Sequence, residues 1–140
     1  MSIAAILAPV FVLVALTFAL HYWMGLARLS KIRRGEVKAR DIALRQPNWP
    51  ARVTQIGNAF HNQLELPVLF YVLVAFALIT RQADLLFVVM SWLFVALRLV
   101  HAYIFVTSNR VSHRFYVFVA GSAVLLLMWI IFAARILPGI

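Results

Sequence analysis

The stretch GNAFHNQLELPVLFYV, residues 57–72, turns wholly apolar in its second half, yet Asn58, His61, Asn62 and Glu65 lead into it. How that junction is read decides the fold. In a soluble helix these four side chains would face water. Inside a bilayer each needs a partner, because hydrocarbon offers no compensating hydrogen bond.

The rest of the chain puts the stretch in a bilayer. Of its 140 residues, 65% are hydrophobic and 12% charged, with a mean hydropathy of +0.96. No soluble domain of this size hides so much apolar surface. Four apolar runs reach the roughly 20 residues needed to cross a hydrocarbon core of about 30 Å. They cover residues 3–26, 53–80, 85–107 and 115–137. The expected fold is an all-α membrane protein, a four-transmembrane-helix bundle that forms a single domain over residues 1–140. The first run has no basic residue before it and is longer than a secretory h-region, so it reads as an uncleaved anchor. Cysteine is absent, which excludes disulfides, thiolate nucleophiles and cysteine-ligated metals.

The formal charge of +9 is unevenly placed. Eight of the 13 Lys and Arg lie between Arg28 and Arg52, in the loop joining the first two runs. The SNRVSHR connection is also basic, whereas RQAD is neutral and short. This positive-inside pattern predicts an integral, multi-pass protein with both termini outside the cytoplasm and the first and third loops within it. The basic loop is explained by orientation and by attraction to anionic lipid headgroups, and nucleic acid is not an expected partner. Within that loop RRGEVKARDIALR is compatible with a short surface helix, and QPNWP marks a turn before the second span.

On a continuous helix Arg52, Gln55, Asn58, Asn62 and Glu65 fall at steps of three or four and share one face. Glu65 lies deepest and needs a partner on another span. Arg98, flanked by apolar residues in the third span, is the expected one, with His101 three residues on along the same face. Arg110, His113 and Arg114 add cations at the same mouth. Pro67 has no amide for the carbonyl of Gln63, which frees that oxygen for a side chain, water or ligand. Such a cluster either holds the bundle in register through its own hydrogen bonds or binds a small anion bearing amide and carboxylate groups. A single intramembrane carboxylate makes a poor proton relay. No spacing typical of a metal site is present, and Ser112 beside His113 has no placed acid for a triad.

At these residues the chain resembles the MAPEG family, the membrane-associated proteins in eicosanoid and glutathione metabolism. NQLELP matches the family's Asn-x-x-Glu pattern followed by proline, RLVH its Arg-x-x-His pattern, and RVSHR the paired arginines that open its fourth span. The likeness is to a divergent, bacterial-type member, which implies a bacterial inner membrane. It further implies a homotrimer of four-helix subunits with glutathione as cofactor, bound between neighbouring subunits near the cytoplasmic side. By this resemblance Asn62 and Glu65 hold the peptide's backbone or amino end, Arg98 sustains the cluster and His101 lines the site. Arg28, His61 and Arg110 add binding contacts, and Arg114 is the catalytic residue that activates the thiol. The implied chemistry is thiol addition to a lipophilic electrophile or reduction of a lipid hydroperoxide. The alternative is a non-catalytic member that binds a lipid or small anion, or a structural membrane subunit. His61, Phe105 and Phe115 stand where many members carry arginine, tyrosine and serine, and Gln55 and Asn58 replace basic residues. Those departures remove contacts to carboxylates and a hydroxyl donor to the thiolate.

Overall fold

The computed structural model describes residues 1–139, as five α-helices. These are α1 (Ile3–Arg33), α2 (Ala51–Asn62), α3 (Leu66–Ile79), α4 (Leu85–Val106) and α5 (Val111–Ile136). With α2 and α3 running in series, they make four long apolar segments, each able to cross a bilayer. The expected four spans are therefore present, with two differences.

The first difference is length. The apolar run ends near Leu26, but α1 continues to Arg33, because Arg28, Lys31 and Arg33 support a helix as well as they support water contact. Its end is set by Gly35, whose φ of 71° closes a Schellman turn. The Gly35 amide donates to the Ile32 carbonyl and the Glu36 amide to that of Lys31. The loop beyond holds only a three-residue 3-10 turn, Ala39–Asp41, in place of the expected surface helix. The second difference is a break. The span expected to run unbroken through residues 53–80 stops at Asn62 and restarts at Leu66. Pro67 occupies the second position of α3, where no intrahelical donor is needed, so a helix can start there but loses a backbone bond if it runs through.

The third span, α4, is the axis of the bundle: half of its apolar window is buried, against 17% for that of α5. Leu13 of α1, Phe70 and Leu73 of α3, Phe94 and Val95 of α4 and Met128 of α5 form one buried cluster. The Phe70 and Phe94 rings lie 4.9 Å apart at its centre. A smaller cluster of Leu20, Ala59, Ala102 and Phe105 packs nearer the basic loops. Most remaining apolar side chains point outward, as expected of spans that face lipid or another subunit.

At the opposite end Asp84 caps α4, its Oδ1 accepting from the Phe87 amide at 2.9 Å. Its other oxygen meets Arg135 of α5 at 2.8 Å. The amide bond, and then Arg135, hold the Asp84 carboxyl below the usual carboxylate range. A carboxyl depressed on folding contributes stability that is present above its unfolded pKa of about 3.9 and lost as pH falls through the folded value. Asp84→Ala is expected to cost about 1 kcal/mol at neutral pH, chiefly through the lost cap. That penalty should shrink below about pH 4. Thermal melts of both proteins across this range provide the check.

Candidate functional site

The helix break and α4 together build the polar junction. Because α2 ends at Asn62, the Asn62 carbonyl has no intrahelical donor. Arg98, only 2% exposed, supplies one. Its Nη2 donates to the Asn62 backbone oxygen at 2.9 Å and also to Asn62 Oδ1. Asn62 Nδ2 in turn donates to Glu65 Oε2 at 3.2 Å. The expected ion pair between Glu65 and Arg98 is thus replaced by a chain, Arg98 to Asn62 to Glu65. The cause is the break: a continuous helix would carry Glu65 one turn beyond Asn62 on the same face, but residues 63–65 leave the helix. It is likewise the Asn62 carbonyl, and not that of Gln63, that a side chain uses.

A groove of about 280 Å³ opens beside this junction, lined by Asn62, Glu65, His101, Phe105 and Arg114, with Phe115 and Phe118 among its apolar walls. Asn109, in left-handed conformation at φ 49°, ends the α4–α5 turn, and its Oδ1 accepts from Arg114 Nη1. The Arg114 guanidinium lies over the Phe105 ring, 4.2 Å from its centroid. His101 is buried, its ring 5.1 Å from Phe105 and 5.9 Å from Phe118. Around the junction Arg98 Nε, His101 Nδ1 and Gln63 Oε1 are buried with no protein partner among the described residues. Unsatisfied groups in this density are where water or a ligand atom is needed.

Arg28 and His61 do not join this groove within one chain. They line a second cleft of about 360 Å³ on another side of α2, together with Asn58, Arg45 and Trp49 of the first loop. Arg110 precedes α5 without a capping side-chain bond, is exposed, and lines neither space. Asn58 therefore parts from the stripe expected on one face. Arg52 and Gln55 take a different role, closing the end of α4. Arg52 donates to the Val106 carbonyl, and Gln55 Nε2 donates to the carbonyls of Phe105 and, at 3.1 Å, Thr107. Those oxygens are the ones a helix C-terminus leaves open, and a guanidinium suits the negative end of the helix dipole.

The side chains of two junction residues carry no signal in the polar stripe. Gln63, 1% exposed, sits in the break and was hidden by lying off the polar face of an assumed continuous helix. Asn109 is a turn residue whose signal was its tolerance of positive φ between two spans. Among the described residues no group of His, Asp and Glu is placed to hold a metal ion.

Four apolar helices around a buried arginine, with a polar groove at one end, define an integral, multi-pass membrane protein. The chain belongs to the MAPEG family, whose model matches residues 6–134. No curated protein and no solved structure is matched by the chain.

Proposed function

We propose that the groove binds glutathione and that Arg114 stabilises the charged form of its sulfur, for reaction with a lipophilic electrophile or a lipid hydroperoxide. The observation that carries this reading is that one groove is lined by a guanidinium, Arg114, by the polar Asn62 and Glu65 and by the apolar Phe115 and Phe118. Such an arrangement suits a hydrophilic thiol on one side and a membrane-dissolved partner on the other.

The residues fit the tripeptide in part. Only one oxygen of Glu65 is taken by Asn62, which leaves the other for an ammonium group. The buried His101 Nδ1 has no protein partner. When bound, glutathione supplies the thiol that adds to an electrophile or reduces a hydroperoxide. The chain's part is to hold the peptide through Glu65 and Asn62, to lower the thiol pKa through Arg114, and to exclude water with the phenylalanines. Arg98 acts behind Asn62 by fixing its orientation. Arg110 adds positive charge near the mouth. In keeping with the family resemblance, the assembly is a homotrimer. The groove is open beside the exposed Phe115 of α5, where a neighbouring copy would wall it off. The groove and the basic loops face the cytoplasm, for which the positive-inside pattern is the support.

One observation favours the alternative, a non-catalytic member that binds a lipid or small anion or serves as a structural subunit. No residue lining the groove carries a hydroxyl group to donate to a thiolate. Calorimetric titration of the detergent-purified protein separates the two. Glutathione is expected to bind saturably, and its S-methyl analogue about 10–100-fold more weakly, since a hydrogen bond to a charged group is worth about 1.5–3 kcal/mol. Equal affinities would remove Arg114 from contact with sulfur, and no binding of either compound would leave the non-catalytic reading.

A further inference from the structure

We infer that Asn109, in the turn between α4 and α5, is a positioning residue for Arg114, and that it holds the guanidinium through a neutral oxygen so that the whole charge is kept for the ligand's sulfur. This rests on the role proposed for Arg114 above, and adds to it a second residue and a reason for that residue's type.

Asn109 stands at φ 49°, a conformation that asparagine tolerates but that glycine adopts at no steric cost. The backbone alone therefore asks for glycine, and the asparagine side chain needs a use of its own. Capping the adjacent helix is the usual one. Here α5 begins without a side-chain cap. Asn109 Oδ1 instead accepts from Arg114 Nη1.

The turn that carries this oxygen is fixed from two helices. Within α4, the Asn109 amide donates to the Ile104 carbonyl at 2.8 Å and the Thr107 amide to that of Tyr103 at 3.1 Å. From α2, Gln55 donates to the carbonyls of Phe105 and Thr107, and Arg52 to that of Val106. The same short segment supplies the Phe105 ring, whose centroid lies 4.2 Å from the Arg114 guanidinium carbon. One nitrogen of Arg114 is thus bonded and one face covered before any ligand arrives, while its remaining N–H groups are left for an anion in the groove. A group fixed in advance stabilises developing charge better than one that must first be ordered.

Both contacts of Arg114 are uncharged. Of the chain's four acids, Glu36 pairs with Lys31, Asp41 with Arg40 and Asp84 with Arg135. Glu65 lines the groove but accepts from Asn62. Among the described residues no carboxylate forms an ion pair with Arg114. The other titratable or charged groups nearby are His101 in the groove's lining and Arg98 behind Asn62. A carboxylate at position 109 would grip the guanidinium more strongly through a charge-assisted bond. It would also repel a thiolate held by that same guanidinium. Asparagine gives the grip without the repulsion.

Two variants separate grip from charge. Asn109→Gly keeps the positive φ, so the turn survives, and removes the oxygen. Asn109→Asp keeps an oxygen for Nη1 and adds a charge. Glutathione and its S-methyl analogue are titrated calorimetrically into the detergent-purified full chain and both variants, and the ratio of the two affinities isolates the contact to sulfur. In Asn109→Gly the glutathione affinity should fall about tenfold with that of the analogue unchanged, the effect of a guanidinium no longer held in place. In Asn109→Asp the ratio should also fall about tenfold, here through repulsion of the thiolate. The parent ratio retained in Asn109→Gly, or an equal loss for both compounds, would overturn the positioning role. The parent ratio retained in Asn109→Asp would overturn the neutral grip. Either result leaves the function proposed for the groove standing. A parent protein that binds neither compound, or both equally, sinks that function and the role of Asn109 with it.

Discussion

Replacing Asn62 with leucine is expected to lower the stability of the purified protein by about 1.5–3 kcal/mol, the worth of one hydrogen bond to a buried charge. Arg98 is almost fully buried and receives both of its acceptors from Asn62, the backbone oxygen and the side-chain oxygen. Leucine removes the side-chain acceptor and also the link to Glu65. Glu65→Gln, by contrast, keeps an oxygen for Asn62 Nδ2 and should cost less than about 1 kcal/mol. The double variant Asn62→Leu with Arg98→Leu should recover more than half of the single variant's loss, since an apolar pair of similar volume needs no counter-charge. Thermal unfolding in detergent, followed for the parent and these three variants, reads all of this together. A severe Glu65→Gln and a mild Asn62→Leu would show that the charge of Arg98 is balanced by Glu65 after all.

The second large effect is on activity. If Arg114 stabilises the thiolate, Arg114→Ala should reduce turnover with a lipophilic electrophile by about 10²–10³-fold, the range seen when one donor to a developing negative charge is removed. Stability should fall by no more than about 3 kcal/mol, because alanine takes away only a hydrogen bond to Asn109 and stacking on Phe105 at the start of α5. Arg114→Lys should restore only part of the rate. An ammonium carries the charge but lacks the flat face that rests on Phe105 and the fork that reaches Asn109 at the same time. Full turnover in Arg114→Ala would place the chemistry elsewhere.

The two predictions rest on different levels of the sequence. Four spans were legible because runs such as the third, broken only at Arg98 and His101, leave no other fate for so much apolar surface. The association of Asn62, Glu65, Arg98 and Arg114 was also legible, since polar residues at matching depths on neighbouring spans must find each other. Their wiring was not. Hydropathy counts Gln63 and Leu64 as two more residues of one span, and helical spacing then aims Glu65 at Arg98. Pro67 was the clue to a break, but its consequence fell on the carbonyl of Asn62, which ends the helix, and not on that of Gln63. That Arg28 and His61 lie apart from the groove within one chain was hidden for a related reason. Whether two residues meet around a helix depends on which flank a loop folds against, and the first loop covers the flank of α2 remote from α4 with Trp49 and Arg45.

The central claim is that a guanidinium at the edge of the groove holds a thiol in its charged form. The most direct test is the ultraviolet difference spectrum of glutathione with the detergent-purified protein at neutral pH, taken against the Arg114→Ala variant. The account predicts a saturable thiolate absorbance with the parent protein and none with the variant. Saturable binding without thiolate absorbance, or absorbance that survives the loss of Arg114, would contradict it.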